Sequence, residues 1–136
     1  MTGGRDRLMR KLEANHVPYS HTSSSIEIAR QDEFGFGVDL RTGSKGFTVF
    51  FEGWHEEFTS EDEAVSCVTF GLSEACRLAV TYRGQMPVKW TVESRKGDRW
   101  SADSETGLLW VPFWLRKRVV YRQNRWLSAT TLDTPL

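Results

Sequence analysis

The sequence predicts a single α+β domain, in which an antiparallel sheet of about six to seven strands is covered on its apolar face by two helices. The prediction depends on a helix-capping motif at Ser60–Glu63 and on two groups of alternating apolar and polar residues, one before it and one after it. Alternation in short segments separated by turn residues is typical of antiparallel strands with one buried face. The two groups are therefore predicted to form two meanders that share a central helix.

The first element is predicted to be a short amphipathic helix. Between Arg5 and His16, three apolar residues recur at helical spacing among charged ones: Leu8, Met9 and Leu12. Pro18 disfavours helical geometry at the residue before it, so the helix is expected to end upstream. The domain is predicted to span residues 1–136, with residues 1–4 and 128–136 frayed, because these ends offer few apolar side chains for docking.

Three alternating segments then predict the first meander. Their apolar residues keep one parity within each segment: Ile26 and Ile28; Phe36, Val38 and Leu40; Phe47, Val49 and Phe51. A two-residue loop at Gly43-Ser44 would set Leu40 opposite Phe47. That register keeps the six apolar residues of the second and third segments on one face of the predicted sheet.

The central helix is predicted to begin with a capping box, in which the Ser60 hydroxyl accepts a hydrogen bond from the amide three residues later. Apolar residues then follow the spacing of one buried helical face: Ala64, Val65, Val68, Leu72 and Ala75. Up to Tyr82 the pattern fits either an alternating strand or more helix, and Gly71 costs a continuous helix about 1 kcal/mol relative to alanine. We predict a helix over about 61–75 and a strand over about 77–83, with the longer helix as the alternative.

The second meander is predicted from the alternation that resumes after residue 86. Its first strand carries apolar residues of one parity: Val88, Trp90 and Val92. A three-residue loop with Gly97 in the left-handed conformation would set Val92 opposite Trp100. A final strand is predicted around residues 116–122, with its arginines on one face.

The net charge of the chain is zero, but acidic and basic residues are separated along it. Ten acids and three bases lie between Glu27 and Glu63, a net of −7, whereas ten bases and four acids lie between Arg83 and Arg125, a net of +6. Two such regions neutralise each other within the fold, pair across a homodimer, or bind separate partners. The first two interpretations are favoured, so the charge names no class of partner and a homo-oligomer stays open.

The cysteines and histidines predict neither a metal nor a cofactor. Cys67 and Cys76 form no Cys-x-x-Cys pair, and the three histidines lack the spacing of a metal site. The N-terminus lacks the apolar run of a signal peptide, and Leu108–Leu115 is too short to cross a bilayer. A reduced, cytoplasmic protein without a membrane span is therefore predicted.

The first candidate site is Trp54-His55-Glu56-Glu57, predicted as a loop between the third strand and the central helix. A histidine beside carboxylates is able to act as a general base in an enzyme. The spacing provides no nucleophile or second partner, so a solvated acidic loop is the favoured interpretation. No residue is predicted to be catalytic, and Trp54 and His55 remain candidate binding residues.

The second candidate site is the aromatic and basic C-terminal region. Its predicted binding residues are Trp110, Trp114, Arg116, Arg118, Arg122 and Arg125. Aromatic rings interleaved with arginine on a sheet stack nucleic-acid bases and hold phosphates, and the same mixture over Trp110–Arg118 suits an anionic membrane surface. The favoured interpretation is structural: tryptophans fill the core and arginines form the solvated outer face.

Three functional hypotheses follow. A non-enzymatic binding or adaptor module for a protein or small-molecule ligand ranks first, because catalytic spacing is absent from the sequence. A nucleic-acid or phosphate-binding domain that uses the C-terminal arginines is the alternative. An enzyme with a site around His55 and Glu56 is the second alternative.

Overall fold

The computed structural model of the chain describes residues 3–128. In this range the backbone forms two helices and nine strands. In chain order they are α1 (Gly4–Ala14), β1 (Ser20–His21), β2 (Ser25–Ile28), β3 (Val38–Gly43), β4 (Gly46–Phe51), β5 (Trp54–Phe58), α2 (Glu61–Leu72), β6 (Cys76–Arg83), β7 (Met86–Lys96), β8 (Arg99–Gly107) and β9 (Lys117–Arg122). The fraying predicted for the two ends falls mainly on residues 1–2 and 129–136, outside the described range.

The strands form two antiparallel sheets, which confirms the predicted α+β class. Sheet 1 has the order β1-β2-β3-β4-β5, and sheet 2 has the order β8-β7-β6-β9. Residues 3–128 contain nine strands rather than about seven, because alternation did not identify the short strands β1 and β5. Since β8 and β9 lie on opposite edges of sheet 2, the chain between them crosses the end of that sheet.

Both helices have their N-terminal amides capped by side chains. The Ser60 hydroxyl accepts a hydrogen bond from the Glu63 amide at 3.3 Å, as the capping box predicts. The Glu61 carboxylate accepts one from the Arg5 amide at 2.9 Å, so the acidic start of α2 also caps α1. These contacts hold the two helices side by side, and α2 packs on β3 and β4.

α2 ends at Leu72 rather than near residue 75, and β6 begins at Cys76. The prediction of a strand instead of a longer helix is therefore confirmed. The Leu72 carbonyl accepts a hydrogen bond from the amide of Leu127 at 3.1 Å, and the Ser73 amide bonds back to the Phe70 carbonyl at 3.1 Å. The helix ends where its last carbonyl accepts a hydrogen bond from a residue that is distant in the sequence.

One apolar cluster joins the helices and both sheets. Sheet 1 turns one parity of its strands toward the helices, and the apolar side chains on that face are buried: Ile26, Ile28, Val38, Leu40, Val49 and Phe51. Sheet 2 adds three aliphatic side chains to the same cluster: Leu78, Val80 and Val92. The rings of Phe36 and Trp54 pack on Phe51, with centroids 5.3 Å and 4.6 Å away.

The β3–β4 hairpin turns one residue later than predicted. Gly43 pairs with Gly46, so Ser44 and Lys45 form the loop and Leu40 lies opposite Val49 instead of Phe47. Gly46 has φ 139°, and a Cβ there would overlap the carbonyl of Phe58, so this position requires glycine. Each partner moves by two residues, and the predicted buried face is therefore unchanged.

The predicted β7–β8 register is also wrong, and this error places Trp100 on the wrong face of sheet 2. Gly97 is left-handed as expected, with φ 64°, but the turn is Gly97-Asp98. Val92 lies opposite Ser104, and the pairing is irregular after Val92. The register differs by an odd number of residues near the turn, so Trp100 lies on the outer face of sheet 2, away from the apolar cluster.

Residues Trp54–Phe58 form β5, so the prediction of a loop at Trp54-His55-Glu56-Glu57 is wrong. β5 pairs with β4 through a turn at Glu52-Gly53, where Glu52 has φ 55°. A Cβ at Gly53 would overlap the indole of Trp90, so the turn also depends on sheet 2. Only Trp54 of β5 is deeply buried. Its other residues therefore need not alternate between apolar and polar, and the sequence shows no such pattern.

The segment after β9 ties the two sheets together through a buried side chain. Asn124 is completely buried; its amide nitrogen donates to the carbonyls of Phe36 at 2.9 Å and Gly71 at 3.2 Å. Its oxygen accepts from the Phe36 amide at 3.1 Å. Sheet 2 is thereby joined to the segment before β3 and to the last turn of α2.

We expect Gly71→Ala to lower the free energy of unfolding by about 1–3 kcal/mol, because a Cβ at this position would overlap the Phe51 ring. The opposing gain in helix propensity is about 1 kcal/mol. Denaturant unfolding measures the difference, and Ser66→Ala on the exposed side of α2 is the matched control. Equal stability of the two variants would contradict the close contact between Gly71 and Phe51.

Asn124→Ala is expected to cost about 2–4 kcal/mol of stability, because it leaves the buried polar groups of Phe36 and Gly71 without partners. Asn15→Ala removes a partly buried, local amide hydrogen bond to the Lys11 carbonyl and serves as the control. Its expected cost is about 1 kcal/mol or less. If both variants have the same thermal unfolding midpoint, the hydrogen bonds of Asn124 do not contribute the expected stability.

Candidate binding surface

The chain between β8 and β9, residues Leu108–Leu115, is called the aromatic loop here. Its first amide donates to the Val88 carbonyl at 2.9 Å, and the residue after its end, Arg116, accepts from the Gly84 amide at 2.7 Å. Leu115 packs on Gly84, which has φ 62° in the β6–β7 turn. The loop is therefore anchored at both ends to sheet 2 and extends from the end of that sheet.

The side chains of the aromatic loop are mostly in solvent. Six large apolar residues within eight positions are exposed: Leu108, Leu109, Trp110, Phe113, Trp114 and Leu115. Trp110, Phe113 and Trp114 keep 60%, 70% and 71% of their surface accessible, and the Trp114 ring contacts the other two edge to face, at 5.7 Å and 6.5 Å. A contiguous exposed patch of this kind marks an interaction surface in a folded protein.

Basic residues lie directly beside the aromatic loop and are called the basic flank. They are Arg83, Arg116, Lys117 and Arg118, with Arg83 directly opposite Lys117 in the β6–β9 pair. No acidic residue occurs between positions 108 and 125. The surface therefore combines exposed aromatic rings with positive charge, and the interpretation that all the tryptophans fill the core is wrong for Trp110 and Trp114.

The structure brings some of the predicted C-terminal binding residues together and separates others. Trp110, Trp114, Arg116 and Arg118 belong to the aromatic loop and its basic flank. Arg122 and Arg125 lie at the other end of β9, about 20 Å away along a six-residue strand. The neighbours Leu109 and Phe113 were not singled out from sequence; the uninterrupted apolar run, too short for a span, is the signal that marks them.

Trp54 and His55 lie in β5, outside the aromatic loop and its basic flank. The Trp54 indole is buried and donates to the Ser104 hydroxyl at 2.9 Å. The His55 ring lies on the exposed face of β5, with its centroid 5.8 Å from that of Phe50. Glu56 follows His55 in a strand and points to the opposite face, so the structure does not bring this histidine and carboxylate together.

The two thiols are poor nucleophiles in this environment. Burial, with a smaller contribution from Glu56, raises the pKa of Cys67 to about 12. Burial also raises the pKa of Cys76, and the nearby Cys67 and Asp103 make smaller electrostatic contributions in the same direction. Since the thiolate is the reactive form, the half-buried Cys67 and the buried Cys76 behave as small apolar residues.

A cleft of about 650 Å³ lies beside β2 and β3. Its walls include Tyr19, Glu27, Arg30, Asp39 and Trp126. Glu27 and Asp39 are directly opposite each other across the two strands. Burial raises the pKa of Asp39, the charge of Glu27 raises it further, and Arg41 at 3.8 Å lowers it.

Comparison of the chain with protein-family models, with curated proteins and with solved structures found no match. Within residues 3–128, no three side chains of His, Cys, Asp or Glu are grouped so as to hold a metal ion. Neither of the helices in this range has the length and apolar character needed to cross a membrane.

We expect Asp39→Asn to stabilise the protein at neutral pH, because the folded environment disfavours the charged carboxylate. The raised pKa means that this gain is fully present above the folded pKa. It disappears as the pH falls below the unfolded value of about 3.9, where Asp39 is protonated in both states. Unfolding curves against pH test this, with Asp98→Asn in the exposed β7–β8 turn as control; a gain independent of pH would contradict it.

Proposed function

We propose that this chain is a non-enzymatic binding module that attaches peripherally to anionic lipid surfaces through the aromatic loop and its basic flank. The observation that carries the proposal is the exposure of six large apolar side chains next to four basic residues. Large apolar side chains held in water do not stabilise the folded chain. Burying them against a partner surface is favourable.

The residue types of the aromatic loop support a lipid surface as the partner. Tryptophan prefers the boundary between headgroups and acyl chains, where its ring is buried and its N–H remains among polar groups. Leu109 and Phe113 supply purely apolar side chains for the acyl region. The loop projects from the end of a sheet and has no described element over it, so it is shaped to insert.

The basic flank supports an anionic surface in particular. Each lysine or arginine near such a surface contributes about 1 kcal/mol, so the four basic residues contribute about 4 kcal/mol at low ionic strength. Most acidic residues between Glu27 and Glu63 lie in or beside sheet 1 and at the start of α2, and Asp32 and Glu33 lie at the end of sheet 2 remote from the aromatic loop. Attachment through sheet 2 turns the positive region toward the lipid, and the anionic cytoplasmic leaflet agrees with the predicted cytoplasmic location.

The nucleic-acid alternative has weaker support. Arg122 donates to the Glu33 carbonyl at 2.8 Å, so one of the four arginines predicted to hold phosphates is engaged within the chain. Arg125 lies at the opposite end of β9 from Arg116 and Arg118, so the remaining three do not form one patch.

The protein is expected to cosediment with phosphatidylcholine vesicles that contain phosphatidylserine, and less with phosphatidylcholine alone. Binding is expected to fall as salt rises, because exposed charges are screened. Replacing Trp110 and Trp114 with Ser is expected to weaken partitioning at least about tenfold, since even one buried ring contributes about 1.5 kcal/mol. Phe34→Ser, an equally exposed ring at the other end of β9, is the matched control.

Charge reversal provides a second arm of the same experiment. Lys117→Glu is expected to weaken binding to the anionic vesicles, whereas Arg99→Glu at the remote β7–β8 turn is expected to have a much smaller effect. Failure to bind anionic vesicles, or equal binding of the double tryptophan variant, would overturn the proposal. A wild-type dimer that the tryptophan variant converts to a monomer would make the aromatic loop a self-association surface instead.

A further inference from the structure

A separate cavity of about 390 Å³ opens at the end of sheet 2 opposite the aromatic loop. Its lining combines aromatic and polar side chains: Asp32, Phe34, Arg77, Trp100, Tyr121, Gln123 and Arg125. Arg77 is the second residue of β6, and the aromatic loop contacts Gly84, directly after the other end of that strand. The two surfaces are therefore about 20 Å apart along the sheet.

Arg77, in the lining of this cavity, is held by three contacts. Its guanidinium carbon lies 4.6 Å from the centroid of the Trp100 ring and 4.0 Å from that of Tyr121. Its Nε donates to the Glu93 carboxylate at 2.5 Å. Two rings and a carboxylate thus fix the plane and direction of the side chain before any ligand binds.

The outer nitrogens of this fixed guanidinium remain available. Within the described residues, Nη1 and Nη2 of Arg77 donate no hydrogen bond, although the side chain is only 24% exposed. A guanidinium edge with two parallel donors is the geometry that binds carboxylates and phosphates through two hydrogen bonds. Arg125, whose side chain is exposed, adds a second positive charge to the lining, beside the carboxylates of Asp32 in the lining and of Glu93 on Arg77.

Flat, exposed rings stand at the entrance. Phe34 and Tyr121 keep 67% and 52% of their surface accessible. The Asp32 carboxylate accepts from the Phe34 amide at 2.8 Å, and the Phe34 carbonyl accepts from the Gln123 amide at 2.8 Å, so the Phe34 backbone is fixed on both sides. Exposed rings of this kind stack planar ligands at about 1–3 kcal/mol each.

We infer that this cavity binds a small organic oxyanion, a phosphate or carboxylate carried close to a planar ring. The oxyanion accepts hydrogen bonds from Nη1 and Nη2 of Arg77 and is attracted by Arg125, and the ring stacks on Phe34 or Tyr121. The volume lies within the usual range for small-molecule sites, about 300–1,000 Å³. This site is independent of the lipid-binding function proposed above.

Calorimetric titration of the full chain tests the inference with two combined probes and their separate halves. Adenosine 5′-monophosphate carries a ring and a phosphate, and its halves are adenosine and inorganic phosphate. Indole-3-acetate carries a ring and a carboxylate, and its halves are indole and acetate. At least one of the two combined probes is expected to bind about tenfold or more tightly than either half alone, because the ring and the oxyanion contribute together. Which one binds identifies the oxyanion.

Variants locate the binding. Arg77→Lys keeps the charge but loses the two-pronged donor edge, and is expected to weaken the bound probe at least about tenfold. Arg125→Ala changes an exposed side chain and is expected to weaken binding about threefold to tenfold without affecting folding. Arg99→Ala, in the same sheet but outside the cavity, is the control and is expected to bind as the unmodified chain does.

Three outcomes would overturn the inference. The first is that neither combined probe binds to the folded protein. The second is that inorganic phosphate binds as tightly as the combined probe, which removes the role of the rings. The third is that Arg125→Ala binds like the Arg99→Ala control, which places any binding elsewhere. Vesicle cosedimentation measures the other surface, so either proposal is able to fail while the other stands.

Discussion

The buried amide of Asn124 is the contact on which the placement of the two sheets depends. It satisfies both backbone polar groups of Phe36 and one carbonyl of α2 with a single side chain. A buried polar group without a partner costs about 1–3 kcal/mol, so these groups and this amide require each other. The contact positions β9 and the segment before β3, and through them both candidate binding surfaces.

The apolar core forms without the six large apolar side chains of the aromatic loop, which remain exposed to water. The apolar cluster is filled by rings and aliphatic side chains from both sheets, with close contacts such as Gly71 on Phe51 and Gly53 on Trp90. No described element covers the aromatic loop, and its two ends are pinned to sheet 2 at Val88 and Gly84. The exposed rings are consequently presented by a rigid scaffold rather than drawn into the core.

Sheet 2 separates the two proposed binding surfaces. At one end, tryptophan and leucine side chains project beyond the β6–β7 turn beside Arg83 and Lys117, which suits a broad surface with spread negative charge. At the other end, Arg77 is oriented by Trp100, Tyr121 and Glu93, which suits a small ligand with a localised oxyanion. We therefore propose different ligands for the two surfaces, because the side chains of the aromatic loop are exposed whereas Arg77 is held by its neighbours.

The sequence by itself determined the α+β class, the capped central helix and the buried parity of sheet 1, because these follow from local periodicity. It favoured a strand after the helix, and the structure decided between that strand and a longer helix. The Gly43–Gly46 turn shows how robust parity is: a register change of two residues left the same side chains buried. Only the tertiary structure decided the exposure of Trp110 and Trp114, the strand at Trp54–Phe58 and the outward position of Trp100. The exposure of the two tryptophans depends on which parts of the fold cover the loop, and the other two features depend on the exact position of a short turn, which alternation does not specify. An odd change of register, as at Trp100, moves a side chain to the opposite face.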